Sequence, residues 1–165
     1  MNDERLLPKD WREDAPISDQ SRYARQVCDF LAGMTDRFAK RTGLETAFRT
    51  SHETFDLPAG VPLVAYRFAQ EALTNVSKHA QASKVSVDLT QAGGVLSIEV
   101  TDNGIGIKEA DRERIFTPSF TTKSSGTGLG LAMVKRMVEQ AGGKVWFQTQ
   151  EGEGSSFFVT LPLYT

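Results

Sequence analysis

Two alternating apolar runs joined by a glycine turn constrain this chain more than any other feature. Val85, Val87 and Leu89 alternate with polar residues across 84–90, and Leu96, Ile98 and Val100 do the same across 95–101. A two-residue period places every second side chain on one face, so each run reads as a half-buried strand. Gln-Ala-Gly-Gly between them suits a tight turn, and the pair reads as a hairpin. Segments 144–149 and 156–163 form a second strand pair turning through Glu-Gly-Glu-Gly, and 46–51 reads as a short strand.

The other periodic stretches are helical. Tyr23, Val27, Phe30, Leu31, Met34 and Phe38 recur every three or four residues between 19 and 41, which describes an amphipathic helix. Gly33 inside it costs up to about 1 kcal/mol relative to alanine. The helix must therefore be held by packing, on the domain's own core or on a second chain. In the helix predicted over 63–80, Ala65, Ala69, Ala72, Leu73, Val76 and Ala80 share one face, continued by Val61 just before it. Arg67, Gln70, Thr74, Ser77 and Gln81 share the other, with Glu71, Asn75 and Lys78 at the boundary. A third helix, 129–141, carries Leu129, Met133, Met137 and Ala141 on one stripe and stops at Gly142-Gly143. Residues 1–18 are charged, hold Pro8 and Pro16, and read as an irregular lead-in. The order strand, helix, hairpin, loop, helix, hairpin predicts an α/β fold of the two-layer α+β kind: one mixed sheet of about five strands, covered on one face by helices.

Composition narrows the function. With 165 residues, one domain can bury roughly 68–70% of the surface its unfolded chain exposes, without metals or disulfides. Nineteen basic against 21 acidic residues give a net charge of −2, so no general attraction to nucleic acid or anionic membranes is expected. Cys28 is the only cysteine, which excludes an internal disulfide and a thiolate zinc site and suits a reducing cytoplasm; it reads as a core residue. No apolar run approaches the roughly 20 residues of a membrane span, and the start, MNDERLLPKDW, lacks a signal-peptide stretch.

Three motifs carry chemistry. Asp102-Asn103-Gly104-Ile105-Gly106 follows a strand directly. A carboxylate there accepts hydrogen bonds, as an exocyclic amine such as adenine's requires, and the glycines let backbone approach a flat ligand. Taken alone, the motif is also an ordinary Asn-Gly turn. Gly126-Thr127-Gly128-Leu129-Gly130 opens the third helix. Its free N–H groups favour phosphate, and Lys123 adds a positive charge upstream. The same residues equally describe a hinge with Thr127 as N-cap. Glu71 and Asn75, four apart on one helix face, offer a water-polarising carboxylate and a neutral amide oxygen for Mg²⁺, or simply a solvated helix edge. Segment 102–128, rich in glycine, serine and threonine, is too long for an ordinary connection and reads as functional.

In this order, the motifs resemble the GHKL (Bergerat-fold) ATP-binding domains of sensor histidine kinases. The matching stretches are QEALTNVSKHA (70–80), TDNGIGI (101–107), RIFTPSFTTKSSGTGLGLAMVKRMVEQAGGKV (114–145) and GEGSSFFVTLPL (152–163). The resemblance covers about 44–165, making 43–165 the ATP-binding domain and 1–42 a lead-in with its helix. It implies that Mg-ATP lies between helix 63–80 and a lid formed by about 107–127. By position, Asn75 would hold Mg²⁺, Asp102 would bind the adenine amine, and Gly104 and Gly106 would shape the base pocket. Gly126, Thr127, Gly128, Leu129 and Gly130 would meet the phosphates with Lys123. Lys78 and His79 would line the phosphate and ribose side, and Phe116 and Phe120 would anchor the lid. Glu71 matches the position that activates water in the hydrolytic branch.

Two departures shape the functional expectation. His52 and His79 are the only histidines, and neither sits on a dimerising helix as the family's phosphoacceptor does. The γ-phosphoryl would therefore pass to a histidine on another chain or domain, such as a phosphoacceptor domain that serves a response regulator, or be hydrolysed slowly. The alternative is a catalytically silent nucleotide-binding, regulatory or designed module, with 19–41 as its association helix and a homodimer as one outcome. An anti-sigma-type serine kinase would share the same ATP fold. Residues 7–41 resemble the C-terminal helix of HD-domain deoxynucleotide triphosphohydrolases, without that family's metal-binding His-Asp set. Residues 44–107 look like the nitrate-sensor branch of the kinases and 112–165 like the nitrogen-regulation branch, which makes the chain a patchwork joined near 106–113.

Overall fold

The computed structural model describes residues 20–52, 57, 58, 60–118 and 130–163, with side chains in the first helix described from residue 27 onward. Helix α1 (Gln20–Thr42) leads into strand β1 (Glu45–Thr50). Helix α2 (Val61–Asn75) continues as a π-helical turn (Val76–Ala80) into the hairpin of β2 (Lys84–Ala92) and β3 (Val95–Asp102). A short helix α3 (Glu109–Arg112), helix α4 (Gly130–Gln140) and a second hairpin, β4 (Lys144–Gln150) and β5 (Gly154–Pro162), complete the order. The five strands form one mixed sheet in the order β1-β2-β3-β5-β4, with β1 parallel to β2 and every other pair antiparallel.

Strand alternation explains the layering. Val85, Val87, Leu89, Leu96, Ile98, Val100, Val159 and Leu161 are all essentially inaccessible and point to the helical side. Against them α2 buries Val61, Val64, Ala65, Phe68, Ala69, Ala72 and Leu73. The predicted stripe of α2 is thus the buried one, apart from Ala80, which is only half-buried. Phe68, outside that stripe by strict 100° spacing, is the largest fully buried side chain. The helix starts at Val61 rather than 63 because Pro62 falls in its first turn, where its missing N–H costs nothing. The β2–β3 turn is tighter than the Gln-Ala-Gly-Gly reading: the strands run on through Ala92 and only Gly93 and Gly94 turn, at φ 57° and 74°. Two positive φ values in a two-residue loop match the strands' right-handed twist.

Helix α1 belongs to the same core. Val27, Leu31 and Phe38 are buried, and the helix packs on α2 and β1. Thr35 is buried on that stripe, its hydroxyl satisfied by donating to the Leu31 carbonyl at 2.7 Å. The helix ends where Gly43, at φ 73°, donates its N–H to the Ala39 carbonyl at 2.8 Å, a left-handed glycine cap. Of the two ways to hold this helix, packing on the domain's own core is the one observed. Gly33 has an ordinary helical φ, and a β-carbon there would touch only the flexible Arg37 tip at 3.4 Å. Gly33→Ala should therefore raise stability by about 0.5–1 kcal/mol, read as a higher urea midpoint with an unchanged slope.

Candidate functional site

Two of the three motifs, with Gly130 from the third, meet at one end of the sheet. Asp102 is the last residue of β3 on the inner, helix-facing side and is only 7% exposed. Its Oδ1 accepts the Gly104 N–H at 2.7 Å. Burial pushes the Asp102 carboxyl above the usual carboxylate range, with backbone hydrogen bonds from Gly104 and Ser155 pulling back toward ionisation. Asn103 turns outward and locks the corner. Its Oδ1 accepts the Ser83 and Lys84 N–H groups at 3.0 and 2.9 Å, and its Nδ2 donates to the Ser83 hydroxyl at 2.9 Å.

The glycines of this corner are demanded by the chain's own backbone. A β-carbon on Gly104 would collide with the Ala80 carbonyl, which already accepts the Ile105 N–H at 2.8 Å. On Gly106, at φ 73°, it would collide with the Gln150 carbonyl, and on Gly154 with that of Asp102. Next door, Thr149 Oγ1 accepts the Ile107 N–H at 2.9 Å and donates to the Gly154 carbonyl at 3.1 Å. Asn103, Thr149 and Gly154 were not among the sequence candidates. Only the Glu-Gly-Glu-Gly turn hinted at the last.

Helix α2 supplies the facing wall. Glu71 and Asn75 lie one turn apart on its flank, as their spacing requires. Burial raises the Glu71 carboxyl, while the neighbouring Asn75 amide and the Lys78 charge favour its ionised form. Although close to that carboxylate, Asn75 Nδ2 makes no well-formed hydrogen bond. It is the one buried side-chain nitrogen or oxygen among the described residues without such a partner. A buried amide with bonding capacity to spare is what a ligand-holding residue needs, and rotation can present its oxygen instead. The Glu71 carboxylate fills the space that a β-carbon of Gly130, the first residue of α4, would occupy.

Lys78 and His79 fall on the π-helical turn, exposed and half-buried respectively. Such turns concentrate at functional sites. This one lets the chain leave α2 with its Ala80 carbonyl aimed at the Asp102 corner, ending at Gln81, the only described non-glycine residue with positive φ. Phe116 packs on Phe147 of β4 at 6.0 Å between ring centroids, and Lys135 lies over its ring. The structure thus brings together Glu71, Asn75, Lys78, His79, Asp102, Gly104, Gly106 and Gly130, with Phe116 pinning the chain beyond α3 to the sheet. Phe120, Lys123, Gly126, Thr127, Gly128 and Leu129 lie outside the described residues.

Comparison with known proteins agrees with this architecture. Residues 60–165 match the family described as histidine kinase-, DNA gyrase B- and HSP90-like ATPases, and the chain belongs to that family. Residues 1–43 match a phosphohydrolase-associated domain, consistent with the resemblance noted for 7–41. The sensor histidine kinase ZraS of Escherichia coli K12 is 48% identical over 83 residues, 50% of this chain and 18% of its own length. A probable C4-dicarboxylate sensor kinase of Halalkalibacterium halodurans is 29% identical over 163 residues, 94% of this chain and 30% of its own. The chain therefore spans less than a third of either relative. Among solved structures, the nucleotide-free catalytic domain of histidine kinase ThkA superposes with a TM-score of 0.67 at 25% identity, covering 84% of this chain and 91% of that one. Full-length ShkA in complex with AMPPNP gives 0.67 at 26% identity, over 86% of this chain and 30% of its own. Among the described residues no helix is long and apolar enough to cross a membrane.

Two outcomes test the corner. Gly104→Ala must force the Ala80 carbonyl aside and should destabilise by about 1–3 kcal/mol, seen in chemical denaturation. For Asp102, the raised folded-state value means that the folded protein binds the proton more tightly than the unfolded chain. Its ionised form therefore subtracts from stability at neutral pH, and the penalty fades as pH falls through the raised value toward the unfolded one near 3.9. Asp102→Asn keeps an oxygen for the Gly104 N–H and should be at least as stable as the parent at pH 7. That advantage should shrink toward about pH 4, as followed by thermal melts across this range.

Proposed function

We infer that this chain is a histidine-kinase-type catalytic domain that binds Mg-ATP between α2 and the segment following β3. It would pass the γ-phosphoryl to a histidine on another domain or chain, or release it slowly to water. The observation that carries the reading is the pairing of a buried carboxylate at the end of β3 with an unsatisfied buried amide on the facing helix. Asp102 supplies an acceptor for an exocyclic amine inside a buried corner, where such a hydrogen bond counts for more than in water. Asn75 offers a neutral oxygen to a Mg²⁺ that keeps most of its shell from phosphates and water. Magnesium would neutralise phosphate charge during transfer. Lys78 adds positive charge on the same wall, and Glu71 stands one turn from Asn75, placed to orient an attacking hydroxyl or water. Lys123 and Gly126 to Gly130 complete the phosphate side by family position, with Phe116 and Phe120 tethering the lid.

An acceptor in trans follows from the histidines. His52 lies just beyond β1 with its Nδ1 bonded to the Ser51 hydroxyl at 2.7 Å, and His79 belongs to the nucleotide wall. From Val27 onward α1 buries Val27, Leu31 and Phe38 in the domain's own core, so a partner or a second copy would meet the more polar side of that helix.

Calorimetric titration with Mg-ADP and Mg-ATP should give saturable binding, and an absence of binding at millimolar nucleotide would sink the proposal. Asn75→Ala and Asp102→Asn should each weaken binding about 10- to 100-fold, the worth of one hydrogen bond or ligand contact to a charged group. Phosphate release above the Asn75→Ala background separates a catalytic domain from a silent nucleotide switch.

A further inference from the structure

The face of the sheet away from the helices carries a feature that nucleotide chemistry does not use. Register aligns Trp146 of β4, Phe158 of β5, Glu99 of β3, Asp88 of β2 and Arg49 of β1 in one row across all five strands. Trp146 stacks on Phe158 with ring centroids 5.2 Å apart and planes 9° from parallel, yet the tryptophan remains 39% exposed. Beside the aromatic pair lies a cavity of about 150 Å³, bounded by Trp146, Phe158, Glu99, Asp88, Ser97 and Thr90. Small-molecule sites usually measure about 300–1,000 Å³. This one suits a single side chain.

Its chemistry selects the side chain. One wall is an aromatic face, which attracts a cation. The other presents two carboxylates, one of which is engaged. Arg49 Nη2 donates to Asp88 Oδ2 at 3.0 Å and its Nε to Oδ1 at 2.5 Å, a two-pronged guanidinium–carboxylate pair. Among the described residues Glu99 accepts the Thr101 hydroxyl at 2.9 Å and forms no salt bridge, and the Arg49 charge, already paired with Asp88, acts on it only from a distance. The row thus holds one satisfied carboxylate and one with lone pairs to spare, next to an exposed indole. A planar guanidinium can stack on the ring and bond the carboxylate at once, which an ammonium cannot match. We propose that this socket docks an arginine side chain of a partner protein, on the side of the sheet opposite the nucleotide corner.

The test uses the full chain carrying Trp11→Phe, so that Trp146 is the sole tryptophan. The probe is acetyl-Gly-Arg-Gly-amide, followed by indole fluorescence and by amide shifts in ¹H–¹⁵N spectra. Saturable changes centred on Trp146, Glu99 and Ser97 are expected. Affinity should fall at least fivefold when citrulline replaces arginine and by a similar factor in Glu99→Gln, and it should be lost in Trp146→Ala, with the melting temperature of each variant recorded. Saturating Mg-ADP should leave the affinity unchanged, which keeps this result separate from the nucleotide reading. Equal binding of the citrulline or leucine tripeptide, indifference to Glu99→Gln, or shifts elsewhere on the surface would overturn the proposal. Self-association abolished by Trp146→Ala would overturn it too, since a second copy would then be the occupant.

Discussion

Almost everything in this molecule depends on how α2 seats on the centre of the sheet. Burying Ala65, Phe68, Ala69 and Ala72 against β3 and β5 brings the helix close, because three of those four residues are alanines. That proximity stabilises the core through dispersion and removal of apolar surface from water. It also sets the distance between the helix flank and the end of β3, and hence between Asn75 and Asp102. Core and cleft are two edges of the same contact. A bulkier residue at 69 or 72 would therefore disturb both.

The layered architecture was legible because most elements state their period clearly; α4 is the exception, burying Val134 and Val138 while Met133 of the predicted stripe is exposed. Val85 to Leu89 and Leu96 to Val100 alternate without a fault, and the helical stripe from Val61 to Val76 is the one the structure buries. Less legible were features decided by backbone meeting backbone. Nothing local marks 76–80 as a π-helical turn; it exists because Ala80 must deliver its carbonyl to Ile105. Likewise α3 is a single turn whose Arg112 reaches back to the Ile107 carbonyl, too short to show a period. At the site, motif spacing pointed to Glu71, Asn75, Asp102 and the glycines beside it, and passed over Asn103 and Thr149, which hold the corner from behind. Both are small polar residues at strand ends, where sequence alone reads only a turn.

Helix α1 shows how a borrowed-looking segment becomes integral. Its sequence matches a different family from the rest of the chain. Even so, Val27, Leu31 and Phe38 join the core, and Cys28 sits near Thr50 at the end of β1. Burial raises that thiol's pKa, so it behaves as packing material rather than as a nucleophile. A helix that packs on α2 adjoins the element that carries Glu71 and Asn75.

The antiparallel pairing of β3 with β5 has one more consequence. Asp102 faces Ser155, so everything between them in the chain, edge strand β4 included, is inserted between two neighbouring paired strands. For an excursion that long, loop-closure entropy grows only logarithmically, and doubling its length would cost about 0.6 kcal/mol. Evolution can thus lengthen or exchange what lies between these anchors almost without penalty, while the anchors themselves tolerate no such drift. A fold wired this way invites splicing of its cover from one ancestor onto the frame of another.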